Sequence, residues 1–316
     1  MIFKVKRRIK LFSCSSHPGL MRKIGDYLQL PMSEVEIFKF KNDNTFVKVH
    51  ESVRQSHVYV MQTSTPPVND GIMELLLMID ALRRASAASI TVIMPYYAYC
   101  RSDKKDQPRI PIGASLVAKL LEAAGADRVI TMDLHADQIQ GFFNIPVDQL
   151  LAAPVVCQYV REKGLKDVVA VAPDAGSAKA TGGYAKRLGI PLAIMDKRRD
   201  DNDDSARILH LIGNVEGKTC VLFDDEISTG GSLMRAAEAL KENGAKRIIA
   251  AVTHAILSGD ASQDIQESDI EELIVTDTLP ISEHQNFKKL TILSVAHLFG
   301  EALDRIHKGE SVTALF

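Results

Sequence analysis

The sequence predicts an α/β protein of two domains, each a parallel β-sheet flanked by helices. Three observations carry this expectation. Short β-branched runs recur along the chain, and stretches with apolar residues at helical spacing separate them. At 316 residues the chain is also long enough for two ordinary cores.

Residues 58–61, 90–94, 128–132, 168–172, 219–223 and 247–253 read as strands, apolar enough to be covered on both faces. Between them Val117, Leu120, Leu121 and Ala124 fall at i, i+3, i+4 and i+7. Leu233, Ala236, Ala237 and Leu240 repeat the pattern, as do Val295, Leu298, Phe299, Ala302 and Ile306 near the end of the chain. Strand–helix alternation of this kind builds parallel sheets covered by helices on both faces. Residues 40–54 alternate loosely and are rich in polar side chains, which suits a projecting hairpin.

An internal echo suggests where the chain divides. Gly125-Ala126-Asp127-Arg128-Val129-Ile130 and Gly244-Ala245-Lys246-Arg247-Ile248-Ile249 each follow a helical pattern and lead into a strand that ends near a histidine, His135 or His254. Duplication of one half and convergence on a common helix-to-strand turn explain the echo equally well. Either way a boundary near residue 150 is expected, giving domains 1–150 and 151–316.

Composition excludes several classes of function. Hydrophobic residues make up 46% and charged residues 25%, the balance of a globular chain, and the net charge of −2 gives no general attraction to nucleic acid or anionic membrane. No run approaches the roughly 20 apolar residues of a membrane span. The basic start, Met1 to Arg8, is followed by an apolar stretch too short for a signal peptide. Cys14, Cys100, Cys157 and Cys220 lie far apart with no CxxC pair, which suits reduced thiols in the cytoplasm.

Chemistry concentrates in Val221-Leu222-Phe223-Asp224-Asp225-Glu226-Ile227-Ser228-Thr229-Gly230-Gly231-Ser232. An apolar strand delivers carboxylates to its carboxyl end, where open parallel sheets bind ligands. Hydroxyls and glycines then lead into an amphipathic helix, whose amino terminus suits a phosphate. Asp224 and Asp225 can accept hydrogen bonds from sugar hydroxyls, and Ser228, Thr229, Gly230, Gly231 and Ser232 can cradle a 5-phosphate. The plainer alternative is an ordinary turn with Ser232 as N-cap.

The whole string resembles the ribose-phosphate loop shared by type I phosphoribosyltransferases and ribose-phosphate pyrophosphokinases. Three more segments resemble the pyrophosphokinases in particular: Thr131 to Phe143 around His135, Val171 to Gly176 around Asp174, and Ile194 to Arg199. The resemblance runs from Phe12 to Phe316. It implies two phosphoribosyltransferase-type domains and transfer of the pyrophosphoryl group of Mg-ATP to the 1-hydroxyl of ribose 5-phosphate. By the same resemblance Lys197 and Arg199 stabilise the transferring group, His135 binds the Mg²⁺ of ATP, and Asp174 is a second magnesium-associated acid. Phosphoryl transfer needs much charge neutralisation and little covalent help, so such cations fit it. The segment containing Arg101 and Ser102 resembles the family's ATP-phosphate contact, and the hairpin with Phe40, Asn42 and Asn44 its adenine-binding flag.

Several positions depart from the family pattern. Asn42 and Asn44 stand where acids are expected, Ser102 where Gln is usual, Ser177 where Gly is usual, and Pro108 where Ser is frequent. The string Asp200-Asp201-Asn202-Asp203-Asp204 is more acidic than the family leads one to expect. Ser52, Arg54, Ser86, Arg109, Ser311 and Thr313 remain compatible with the family's allosteric phosphate/ADP site, so inorganic phosphate is the implied activator. A homohexamer is the implied assembly. Two other readings stay open: a phosphoribosyltransferase, which would need neither the His135 segment nor Lys197, and a catalytically silent regulatory subunit of the same family.

Overall fold

The computed structural model describes residues 8–198 and 207–316. Contacts divide the chain into two units, one formed by residues 1–151, 278–280 and 295–316, the other by residues 152–277 and 281–294.

The first unit is a five-stranded, wholly parallel sheet in the order β1-β4-β5-β6-β7. Its strands are β1 (Arg8–Ser13), β4 (Ser56–Met61), β5 (Ser89–Ile93), β6 (Arg128–Met132) and β7 (Val147–Leu150). Helices α1 (Pro18–Leu28), α2 (Val68–Arg84) and α3 (Gly113–Ala124) connect them, with a hairpin of β2 (Val35–Lys39) and β3 (Thr45–Val49) after α1. Val58, Val60, Ile90, Val92 and Val129 on one sheet face pack with Leu75, Met78 and Ile79 of α2 and Val117 and Leu121 of α3. Alternation along each strand produces this division, since successive side chains point to opposite faces.

The second unit holds seven strands in the order β10-β9-β8-β11-β12-β13-β14. They are β8 (Val168–Ala172), β9 (Leu192–Arg198), β10 (Arg207–Ile212), β11 (Thr219–Ile227), β12 (Arg247–Ala255), β13 (Glu272–Thr276) and β14 (Leu290–Leu293). All pairs are parallel except β10 with β9, which is antiparallel at the edge. Helices α4 (Ala153–Glu162), α5 (Ala178–Leu188), α6 (Gly231–Glu242) and α7 (Ala261–Glu267) complete the unit. Its core joins Cys220 and Leu222 of β11 to Leu233, Ala236 and Leu240 of α6 and to Ala250 and Val252 of β12.

Three expectations change. The second domain does not keep residues 151–316: the last helix, α8 (Ala296–Lys308), belongs to the first unit, where it packs against α1. Its apolar stripe of Leu298, Phe299, Ala302 and Leu303 is buried there. The hairpin begins at Val35 rather than Phe40, so Phe40 lies at the turn and not at the root. It is not free-standing either, because Val35, Ile37, Val47 and Val49 pack against the core. Finally, Leu120 is 38% exposed: the buried stripe of α3 runs through Ala114, Val117, Ala118 and Leu121, and Leu120 falls on its flank.

Candidate active site

The chemistry is built on β11 and the turn after it. Thr219 to Phe223 are buried between β8 and β12, and Tyr184 of α5 stacks on Phe223 with ring centroids 4.3 Å apart. From Asp224 the strand leaves the core, with Asp224, Asp225 and Glu226 half-buried. It outruns its expected end because Asp224, Glu226 and Ile227 still pair with Val252, His254 and Ala255 of β12. The Ile256 amide then donates to Ile227 O at 2.9 Å, and the Ser258 amide donates to Ser228 O at 3.0 Å, which fixes the turn. Gly230 has φ +77, a left-handed conformation that costs glycine little, and passes the chain into α6. Gly230 is therefore the N-cap. Ser232 lies inside the first turn of α6, and no side chain caps this helix among the described residues. The alternative of a Ser232-capped turn does not hold, and α6 presents its first amides toward whatever the turn encloses.

Charge is crowded at the same place. Burial, then the neighbouring Asp225 and Asp174, push the Asp224 carboxyl up from its ordinary value to about 8. The Asp225 amide donates to Asp224 Oδ1 at 3.0 Å and opposes that push. Asp174 follows β8 and is half-buried. Its loop is tied by Ser177, whose amide donates to Asp174 Oδ1 at 2.9 Å and whose hydroxyl donates to Asp174 O at 3.0 Å. Ser177 thus has a structural role, and a serine three residues after an aspartate is the sequence signal for such a turn. Asp174, Asp224, Asp225 and the Ser228–Ser232 turn thus gather at the carboxyl ends of β8 and β11.

The remaining candidates belong to other segments of the chain. In the first unit His135 is exposed in the segment after β6, and Arg101 is exposed in the segment after β5. Ser102 is engaged structurally: its hydroxyl accepts the Gly113 amide at 3.0 Å, at the start of α3. Phe40, Asn42 and Asn44 are exposed at the hairpin turn, where Asn42 Oδ1 accepts the Asn44 amide at 3.3 Å. Phe38, Phe40 and Phe46 form a cluster with centroids 4.7 to 5.7 Å apart. The backbone of Lys197 lies in β9, paired with Ile208; its side chain, and the whole of Arg199 and the acidic run after it, fall outside the described residues. Of the phosphate/ADP candidates, Ser52, Arg54 and Ser86 flank one contact, in which the Gln55 amide donates to Ser86 O at 3.0 Å. Arg109 lies in the loop before α3, and Ser311 and Thr313 in the tail after α8.

Comparison with known proteins gives one consistent result. Residues 9–125 match the family described as the N-terminal domain of ribose phosphate pyrophosphokinase, and residues 204–316 match the phosphoribosyl synthetase-associated domain. The ribose-phosphate pyrophosphokinase of Caldanaerobacter subterraneus is 48% identical over 309 residues, covering 98% of both chains. That of Oceanobacillus iheyensis is 48% identical over 308 residues, covering 98% of this chain and 97% of its own. The crystal structure of phosphoribosylpyrophosphate synthetase from Mycobacterium smegmatis superposes with a TM-score of 0.91 at 42% identity, covering 96% of this chain and 100% of that one.

Proposed function

Since the chain belongs to the ribose-phosphate pyrophosphokinase family, we propose a division of labour among its residues for that family's reaction. The chain transfers the pyrophosphoryl group of ATP to ribose 5-phosphate. The 1-hydroxyl oxygen of the sugar attacks the β-phosphorus, the bond from that phosphorus to the α-phosphate oxygen breaks, and AMP leaves as phosphoribosyl pyrophosphate forms. The observation that carries the assignment of roles is the strand end of β11, where two adjacent carboxylates meet the uncapped amino terminus of α6.

Asp224 and Asp225 accept hydrogen bonds from the ribose hydroxyls, and the amides and hydroxyls from Ser228 to Ser232 take the 5-phosphate. Lys197 and Arg199 neutralise the charge that builds on the moving group, an interaction that matters most in the transition state. Phe40, Asn42, Asn44, Arg101 and Ser102 are assigned to ATP. Magnesium is the proposed cofactor. Asp174, Asp224 and Asp225 offer the hard oxygen donors such an ion prefers; burial and then the neighbouring carboxylates raise Asp224, and a divalent cation would offset that cost of ionisation. Asp174 is assigned to one magnesium and His135 to that of ATP; when bound, the metal supplies charge neutralisation to the phosphates.

The assembly proposed is a homohexamer, supported by the exposed Phe38 and Phe40, which ask for a covering surface. Inorganic phosphate is the proposed activator, through Ser52, Arg54 and Ser86. The four cysteines are free and buried, which supports a reducing, cytoplasmic setting. No helix among the described residues is long and apolar enough to cross a membrane.

The test is AMP formation from ATP and ribose 5-phosphate, with and without phosphate, in the natural chain and in Asp224→Ala. The KM for ribose 5-phosphate should rise more than that for ATP. A change confined to the ATP KM would reverse the two substrate assignments.

A further inference from the structure

The first unit holds a second recess that none of these roles uses. It lies at the amino-terminal edge of the sheet, under the end of α8, with a volume of about 140 Å³. Tyr59, Thr91 and Arg128 form one row of its wall, as register neighbours across β4, β5 and β6. His57 and Ser89 form the next row and are joined through His57 Nδ1 at 2.7 Å. His307 of α8 stands opposite, its ring centroid 5.7 Å from that of His57 and inclined at 76°.

Two features make this a built site rather than a packing gap. Tyr59 is 3% exposed and Thr91 6% exposed, yet neither hydroxyl has a hydrogen-bond partner among the described residues. Both hydroxyls open on the recess, where water or a ligand can serve as the partner that the protein does not provide. The charges around them also balance. Arg128 is ion-paired with Asp148, Asp127 lies at the rim accepting the Ile90 amide at 2.7 Å, and Arg128 and Asp304 act on Tyr59 in opposite senses. A full anion would meet Asp127 and Asp304, and a full cation would meet Arg128. Burial pushes the Tyr59 phenol up to about 12, so it stays protonated and able to donate near neutral pH.

We propose that this recess binds a neutral, single-ring heteroaromatic ligand of the pyrimidine-base class. Tyr59 and Thr91 supply the hydrogen bonds, and the imidazoles of His57 and His307 supply aromatic walls. Size selects the class: a cavity of roughly 150 Å³ admits benzene, whereas drug-sized ligands need about 300 Å³ or more. A ring carrying carbonyl and N–H groups matches hydroxyls that both donate and accept.

The experiment titrates uracil into the full chain and follows the imidazole NMR signals of His57 and His307. Saturable shifts are expected. Tyr59→Phe and Thr91→Val should each weaken binding about three- to tenfold, while leaving the melting temperature unchanged or raised, because neither removes a protein hydrogen bond. Asp224→Ala should bind uracil like the natural chain. No shift up to about 10 mM, equal affinity in both hydroxyl variants, or shifts produced by inorganic phosphate but not by uracil would each overturn the proposal. So would a parallel loss in Asp224→Ala, which would place the ligand in the reaction site.

Discussion

Asp224 occupies the point where a buried strand leaves the core, and its environment carries a pH signature. Its folded pKa, raised from 3.8 to about 8 by burial and by Asp225 and Asp174, means that the folded chain holds this proton more tightly than the unfolded one. The associated stability is fully present below about pH 4 and is lost as pH rises through 8, with a slope of at most about 1.4 kcal/mol per pH unit. In chelator, the melting temperature of the natural chain should therefore fall between pH 5 and pH 8.5 more than that of Asp224→Asn. Parallel curves would show that Asp224 ionises normally. Lys197 makes a different demand, because its proposed charge acts on the transition state. Lys197→Ala should keep ATP affinity close to natural while kcat drops by orders of magnitude, and turnover within about threefold of natural would remove Lys197 from the mechanism.

At the scale of elements, the strands most legible in the sequence are those covered on both faces. Residues 168–172 are apolar throughout, residues 128–132 are apolar apart from Arg128 and Thr131, and they become β8 and β6 with the expected bounds. The end of β11 was hidden because Asp224, Asp225 and Glu226 look like loop residues, although β12 still pairs with Asp224 and Glu226. The hairpin was misplaced for a related reason: β2 and β3 bury one face only, and the apolar residues of that face are interleaved with charges. The paired turns at Gly125 and Gly244 share a left-handed backbone, with φ +115 and +80, which ends a helix before a buried strand under either origin of the echo. The hairpin also carries a prediction on base selectivity. Asn42 and Asn44 both donate and accept, whereas carboxylates only accept and so disfavour the carbonyl of guanine. Asn42→Asp with Asn44→Glu should raise the ratio of kcat/KM for ATP over GTP by roughly tenfold for each bond strengthened by about 1.4 kcal/mol. An unchanged ratio would assign base reading to backbone groups.

At the scale of the whole molecule, sequence order and structural unit part company at the last helix. Periodicity alone marked Leu298, Phe299 and Ala302 as an apolar stripe, but it carries no information about which distant surface that stripe meets. The partner is decided by fit: α8 buries Phe299 at 0% exposure beside α1, and the Tyr27 hydroxyl donates to Glu301 at 2.9 Å, while Arg305 Nε donates to the same carboxylate at 2.8 Å. Gly300 permits the close approach, since a Cβ there would run into the Tyr27 ring. The last helix is therefore packed into the first unit, against a helix at the other end of the sequence, and damage to it should be felt there. Phe299→Ala leaves a cavity in a closely packed core and should cost about 3–5 kcal/mol. Hydrogen exchange can locate that loss. Amides of α1, which packs on α8, should lose protection most, while those of β11 and β12 keep theirs, because these strands lie in the other unit and in a cluster without Phe299. Equal loss in β11 and β12 would mean that the units unfold as one, and that α8 stabilises the chain as a whole rather than the unit it completes.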